Sequence, residues 1–143
     1  MRLIEQAIMF ATRAHANQTD KVGEPYILHP IRVMLSLTSE TAKTVAVLHD
    51  VLEDTSETPA DFIAAGFGGE ILGAVQAITK VKGEAYEHYL KRVIANPIAR
   101  EVKIADIRDN ASPARLYKLD PETIQRLTAK YSKALKFMEG WES

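Results

Sequence analysis

Apolar residues recur along this chain with the three-to-four-residue spacing of amphipathic helices. The clearest examples are Ile4, Ala7, Ile8 and Ala11 near the start and Ile124, Leu127, Tyr131 and Leu135 near the end. No stretch alternates apolar and polar residues for long enough to predict a β-strand. The pattern therefore predicts an all-α fold.

Capping residues followed by proline mark several of the predicted helix starts, at Thr58-Pro59, Asn96-Pro97 and Asp120-Pro121. Thr58 with Asp61 resembles a capping box. We predict about seven to eight helices, over roughly residues 2–16, 30–37, 41–53, 59–65, 69–80, 84–95, 97–110 and 121–138. The two longest irregular segments are 17–28 and 109–120, and we expect them to border a site.

The length of 143 residues suits a single domain covering the whole sequence, 1–143. The net charge of −1 gives no bulk attraction to nucleic acid or to an anionic membrane, and no long apolar run predicts a membrane span. Because there is no cysteine, any metal must be held by nitrogen and oxygen ligands. We expect a cytoplasmic protein that binds a small anionic molecule, while its oligomeric state stays open.

One acidic cluster carries most of the candidate chemistry, in the segment His49-Asp50-Val51-Leu52-Glu53-Asp54. If the segment is one helix, a rotation of about 100° per residue places its four polar side chains in one sector. Such a cluster beside apolar residues is costly to bury unless a cation compensates it. A bound metal explains it most simply, with His49 and Asp50 as ligands and Glu53 and Asp54 available to orient and deprotonate water.

Two further segments contribute residue types of the same kind. Lys103, Asp106 and Asn110 project from one face of the predicted helix 97–110. A turn-rich segment, 23–28, precedes His29, which lies at a predicted helix start. Each signal is weak alone, because a histidine at this place also caps helices and an aspartate also pairs with a nearby lysine.

The two remaining histidines receive structural or surface interpretations. His15 lies on the apolar face of the first predicted helix, where a buried, hydrogen-bonded role is favoured over a metal-binding one. His88 stands between Glu87 and Tyr89 and is expected on the surface.

The order of His29, His49-Asp50 and Asp106 resembles the HD superfamily. The words A-H-A-N-Q, G-E-P-Y-I-L-H-P-I, L-H-D-V-L-E-D-T, I-T-K and V-K-I-A-D-I-R-D-N are similar to the hydrolase domain of Rel/Spo-type alarmone enzymes, over about residues 5–115. The resemblance implies an HD-domain helical bundle that uses one Mn²⁺ to remove the 3′-pyrophosphate of ppGpp or pppGpp, releasing GDP or GTP. It also implies a stand-alone small alarmone hydrolase, because the sequence is short.

The resemblance assigns roles position by position. The residues that match metal ligands are His29, His49, Asp50 and Asp106, and those that match the catalytic acidic pair are Glu53 and Asp54. The residues that match positions touching the nucleotide are Lys21, Tyr26 and Asn110. From their charge, we expect Lys21 and Lys103 to offset the negative charge of the substrate, with Lys80, Lys82 and Arg108 as further candidate cations. The family suggests Mn²⁺, although ligands of these types do not exclude Fe²⁺ or Zn²⁺.

Three positions depart from the family pattern. Asp20 stands where the long enzymes typically carry an arginine near the guanine base, and we expect this carboxylate to pair with Lys21 or face water. Ile107 and Asp109 replace an arginine and a histidine. We therefore expect altered base and phosphate contacts around an intact metal centre.

Three alternatives remain open. The first is the same chemistry on another nucleotide, such as the 2′-phosphate of NADPH or a nucleoside monophosphate. The second is a non-catalytic nucleotide-binding sensor, against which the presence of Glu53 and Asp54 argues. The third, a structural helical module, leaves the acidic cluster unexplained.

Overall fold

Helices account for most of the structure, a computed structural model that describes residues 1–140. The helices of these residues are α1 (Leu3–Ala14), α2 (Leu28–Leu35), α3 (Glu40–Leu48), α4 (Val51–Asp54), α5 (Pro59–Ala64), α6 (Glu70–Ile78), α7 (Tyr86–Ile94), α8 (Pro97–Asn110), α9 (Pro113–Leu116) and α10 (Pro121–Gly140). Within residues 1–140 there is no β-strand, and Thr19 and Pro25 form one isolated bridge. The all-α prediction is confirmed.

Helix α3 forms the centre of the fold. Its residues Thr44–Leu48 are all buried, and α3 packs against α1, α2, α6 and α8. A helix that is apolar on every side belongs in the interior, where its neighbours fix its position. The end of α3 therefore presents His49 from a rigid support.

The predicted helix 41–53 is wrong in one respect, because it breaks at His49 and Asp50 into α3 and α4. The carbonyl oxygen of Ala46 accepts both the backbone N–H of His49, at 3.3 Å, and the His49 side-chain Nδ1, at 2.5 Å. It is therefore occupied where Asp50 would need it for the next helical hydrogen bond. Both residues keep helix-like backbone angles, so Asp50, Glu53 and Asp54 still face one cleft.

Other helix boundaries differ by a few residues from their predictions. Helix α2 begins at Leu28, so that His29 lies inside its first turn. The capping roles are confirmed, because the Asn96 side chain accepts the backbone N–H of Ala99 and Thr58 forms a reciprocal box with Asp61. Helix α9 was not predicted, since one turn is too short to show an apolar period.

The segment 17–27 forms a tight loop against the start of α2. Asp20 and Glu24 approach through a backbone hydrogen bond of 2.8 Å, and Gly23 has a φ of 85°, in the left-handed region that glycine enters without strain. The Gln18 side chain donates to the carbonyl oxygen of Asp54 at 2.8 Å. The loop is thereby fastened to the end of α4.

None of the helices formed by residues 1–140 combines the length and apolar character needed to cross a lipid bilayer.

Candidate metal centre

Four side chains converge beside the end of α3, one from α2, one from α8 and two from the junction between α3 and α4. The group comprises His29, His49, Asp50 and Asp106, and each offers one ligand atom within 4.8 Å of all the others. His29 and His49 are each 3% exposed and Asp106 is 6% exposed. Imidazole nitrogens and carboxylate oxygens are suitable ligands for a divalent transition metal. The structure thus contains a potential metal-binding group made of the four predicted residues.

The two imidazoles are oriented by their outer nitrogens. His29 Nδ1 lies 2.7 Å from Asp109 Oδ2, while its Nε2 lies 2.7 Å from Asp106 Oδ1. His49 Nδ1 donates to the Ala46 carbonyl, and its Nε2 lies 3.1 Å from Asp50 Oδ2. When each Nδ1 carries the proton, both Nε2 lone pairs point at the centre and can bind a cation.

The electrostatics of the group show how its charges are balanced by protons. Burial lowers the pKa of His49, but the carboxylates of Asp50 and Asp106 outweigh it and raise that pKa well above the ordinary value. The same competition, with Asp106 and Asp109, raises the pKa of His29. Burial raises the pKa of Asp106, yet Lys103 and the histidines hold it well below the usual range. A divalent cation bound by these four residues would replace the protons as the counter-charge.

Asp109 holds His29 from outside the group. Its carboxylate receives His29 Nδ1, the Arg32 Nε at 3.1 Å and the Arg115 Nη1 at 2.7 Å. Burial raises the pKa of Asp109, but these partners outweigh it and lower the pKa strongly. We expected Asp109 and Ile107 to alter base and phosphate contacts, and neither lines the cleft: Asp109 supports a candidate ligand, and Ile107 is buried in the core.

Glu53 and Asp54 stand at the open side of the centre. Glu53 Oε1 accepts the backbone N–H of Lys80 at 2.8 Å, which fixes the carboxylate. Burial, followed by the charges of Asp50 and Glu53, raises the pKa of Asp54 to about 6. A carboxylate with a pKa near neutrality is suited to accept a proton from water.

Three of the four residues expected to touch the nucleotide or offset its charge contact the candidate ligands directly. The Tyr26 hydroxyl donates to Asp50 Oδ2 at 2.5 Å. Lys103 Nζ lies 3.1 Å from Asp106 Oδ2, and Asn110 Nδ2 lies 3.3 Å from Asp106 Oδ1. All three line the cleft, and Lys21 lies exposed at its rim. Their roles toward a nucleotide stay predictions.

Comparison with known proteins places this arrangement in a family. A family model described as HD domain matches residues 7–109. The chain belongs to the HD domain family. The fold and the pairing of His49 with Asp50 agree with the resemblance found in the sequence.

Two curated relatives of this HD domain are much longer proteins. A guanosine-3′,5′-bis(diphosphate) 3′-pyrophosphohydrolase of Aquifex aeolicus is 38% identical over 120 residues, which cover 75% of this chain and 17% of that protein. A probable GTP pyrophosphokinase of Mycobacterium leprae is 32% identical over 135 residues, covering 85% of this chain and 17% of that protein. The chain therefore spans about a sixth of the length of each relative.

A solved structure shares the fold of this HD domain along almost its whole length. It is described as a metazoan ortholog of SpoT that hydrolyzes ppGpp. The TM-score is 0.78 at 24% sequence identity, and the match covers 98% of this chain and 87% of that one. At this identity the likeness shows the fold.

The cleft of the HD domain has a volume of about 400 Å³. One side carries the candidate metal group with Glu53 and Asp54. The other side is formed by α9 and α10 and by the 17–27 loop, and its lining residues include Thr19, Val22, Arg115, Leu116, Leu119, Leu127 and Tyr131. The sequence indicated segments 17–28 and 109–120 as site borders, but no motif singled out these residues.

The expectation for Asp20 is wrong. Its Oδ1 accepts the backbone N–H groups of Val22, at 2.9 Å, and Glu24, at 3.0 Å, and its side chain is 8% exposed. The opposite oxygen, Oδ2, lies 3.9 Å from Arg115 Nη2. Asp20 therefore closes the loop and faces an arginine, because an aspartate at the first position of such a turn satisfies the backbone donors that follow it.

Of the remaining candidates, Arg108 differs from its prediction, whereas His15 and His88 agree with theirs. Arg108 pairs with Glu139 at 2.6 Å and does not line the cleft, so it supplies no charge there. His15 is buried, with its Nδ1 2.8 Å from the Gln18 side-chain oxygen, as expected for a structural residue. His88 is exposed and contacts Glu84, as expected for a surface residue.

Proposed function

We propose that this HD domain is a metal-dependent phosphohydrolase that removes the 3′-pyrophosphate of ppGpp or pppGpp, giving GDP or GTP and pyrophosphate. The observation that carries the proposal is the convergence of His29, His49, Asp50 and Asp106 in an open cleft that the carboxylates of Glu53 and Asp54 also line. The names of the Aquifex aeolicus relative and of the metazoan protein support this choice of substrate.

We further propose one Mn²⁺ as the cofactor, with Fe²⁺ and Zn²⁺ as the alternatives that these ligand types allow. The Nε2 atoms of His29 and His49 and the carboxylates of Asp50 and Asp106 would hold the ion. When bound, such an ion polarises a phosphoryl group and lowers the pKa of water. The donor set fits this cofactor, because the outer nitrogen of each imidazole is already bonded elsewhere.

The two acidic residues divide the handling of the attacking water. Asp54, with its pKa of about 6, is ionised at neutral pH and accepts a proton. Glu53, held by the Lys80 backbone, orients the water. The water oxygen forms a bond to the phosphorus attached to the ribose 3′-oxygen, and the bond between that phosphorus and the 3′-oxygen breaks. Pyrophosphate is released, and the leaving 3′-oxygen becomes a hydroxyl by taking up a proton, which balances the one that the water gives to Asp54. Lys103 and Asn110 contact Asp106 and line the cleft, where they would offset the negative charge of the phosphate.

A substrate panel tests the proposal. The purified protein is incubated with ppGpp, pppGpp, NADPH and nucleoside monophosphates, each with Mn²⁺ or with a chelator, and the products are separated by ion exchange. We expect GDP and pyrophosphate from ppGpp only when Mn²⁺ is present. Release of phosphate from NADPH or from a monophosphate alone would move the function to that substrate, and binding of ppGpp without turnover would indicate the sensor.

A further inference from the structure

Arg115 reaches the cleft from α9 and contacts groups from three other segments. Its Nη1 lies 2.7 Å from Asp109 Oδ2 and 2.9 Å from His29 Nδ1. Its Nη2 lies 3.9 Å from Asp20 Oδ2, on the 17–27 loop. The guanidinium is thus held between two carboxylates, although it sits on a helix of a single turn.

Most of the hydrogen-bonding capacity of Arg115 is unused within residues 1–140. A guanidinium has five N–H donors, and among residues 1–140 the hydrogen bond that Arg115 makes at an ordinary distance runs from Nη1 to Asp109 Oδ2. The contact of Nη2 with Asp20 is an ion pair too long for a hydrogen bond. The side chain is 26% exposed and lines the cleft, so its remaining donors are accessible to a ligand.

The cleft carries more negative than positive side chains, so an anionic ligand needs a cationic donor there. Five carboxylates line it, those of Asp20, Asp50, Glu53, Asp54 and Asp106, against the cations Lys21, Lys103 and Arg115. Lys103 is largely buried and already paired with Asp106, and Lys21 is exposed on the loop. A ligand with several phosphate charges therefore meets one cation, Arg115, that is both fixed in place and supplied with free donors.

We propose that Arg115 is a phosphate-binding residue of the nucleotide site, using its free Nε and Nη2 donors on a phosphate group of the substrate. A guanidinium binds phosphate through two parallel hydrogen bonds, and fixing it beforehand reduces the ordering cost of binding. Asp109 and Asp20 act as its supports. The inference rests on the proposed function for the identity of the nucleotide, and it gives Asp20 a role that the sequence did not indicate.

Arg115→Met tests the inference, because it keeps the apolar length of the side chain and removes the charge and the donors. With saturating Mn²⁺ we expect KM for ppGpp to rise about 10- to 100-fold, the loss expected for hydrogen bonds to a charged group, with kcat within about threefold. Arg115→Lys keeps the charge but lacks the planar pair of donors, so its KM should lie between those of the wild-type protein and Arg115→Met. The matched control is Arg108→Met, which removes an arginine outside the cleft and should leave KM unchanged.

Binding of ppGpp to metal-free protein, measured by calorimetry, gives a readout that needs no turnover. Arg115→Met should weaken this binding by a similar factor, and Arg108→Met should not. Unchanged KM and unchanged binding in Arg115→Met would overturn the inference, as would a loss of Mn²⁺ that accounts for all of its activity loss, since Arg115 would then only support His29. Failure of the wild-type protein to hydrolyse ppGpp would instead reject the proposed function, and the calorimetry would still decide the role of Arg115.

Discussion

The two sides of the cleft are held in place by different means. On the metal side, His29, His49 and Asp106 are buried and come from helices packed into the core. On the opposite side, Arg115 and Asp20 come from a one-turn helix and a loop, and they are held by hydrogen bonds and ion pairs between side chains. The side that carries the candidate metal group is therefore rigid with the fold, whereas the position of Arg115 and Asp20 on the opposite side depends on a few polar contacts. Changes on the first side should abolish chemistry, and changes on the second should adjust affinity.

The largest effect is expected from Asp106→Ala. Asp106 contacts both candidate histidine ligands, Lys103 and Asn110, so its loss removes one ligand and the group that balances the others. We expect Mn²⁺ binding and hydrolysis to be lost together, with activity reduced by about 10³-fold or more. Elemental analysis and a ppGpp assay measure the two losses, and circular dichroism controls for folding. A variant that is inactive but fully loaded with metal would contradict the ligand role.

Glu53→Gln and Asp54→Asn should separate chemistry from metal binding. Each keeps the shape of the side chain and removes the carboxylate, so we expect kcat to fall by about 10² to 10⁴ while the metal content stays normal. Single-turnover rates at saturating Mn²⁺ provide the measurement. If Glu53→Gln retained a near-normal kcat, Glu53 would be a structural partner of the Lys80 backbone, and Asp54 alone would carry the proton transfer.

Asp109→Asn should have an intermediate effect that excess metal reverses. The substitution weakens the hydrogen bond that orients His29, and changes of this kind typically cost 10- to 100-fold in metal affinity. We expect a higher Mn²⁺ concentration for half-maximal activity and a nearly normal kcat once the site is full. Titration of activity with Mn²⁺ measures this directly, and Arg108→Met serves again as the control. A kcat that stays low at saturating Mn²⁺ would show that Asp109 acts on the reaction itself.

Metal affinity should also depend on pH. Because the pKa values of His29 and His49 are raised in the metal-free protein, protons occupy these groups up to a higher pH than in an unfolded chain. Metal binding must displace the protons, so affinity should increase with pH by up to about tenfold per unit for each proton released, and level off above the raised values. Calorimetry in buffers of different ionisation enthalpy counts the protons. Affinity that is flat from pH 6 to pH 8 would exclude this competition.

The same raised pKa values set the stability of the metal-free protein. A group whose pKa is higher in the folded state stabilises that state fully below its unfolded value, and the contribution disappears as the pH rises through the folded value. The metal-free protein should therefore lose stability above about pH 6.5, the ordinary value for histidine, whereas the metal-loaded protein should not.

The candidate metal group could be predicted from sequence because its residues lie in short sequence motifs, on or beside helices that the apolar pattern predicts. The break at His49 could not, since it arises when a histidine side chain takes the carbonyl that the next helical turn needs. The turn closed by Asp20 could have been predicted, because aspartate followed by glycine three residues later is typical of such a loop. The position of Arg115 in the cleft could not have been predicted, because its partners His29 and Asp20 lie far away along the chain and α9 is too short to show an apolar pattern.

The Gln18 side chain joins two segments that are separate in the sequence. The side-chain oxygen accepts from His15 at the end of α1, and the side-chain nitrogen donates to the backbone carbonyl of Asp54. The backbone carbonyl of Gln18 accepts the backbone N–H of Tyr26. Because the three contacts share one residue, loss of one should weaken the other two. We therefore expect the loop and the end of α4 to unfold locally as one cooperative unit. Backbone amides in both segments should then exchange with solvent at a common rate, and opening of the 17–27 loop should disturb Asp54, the proposed proton acceptor.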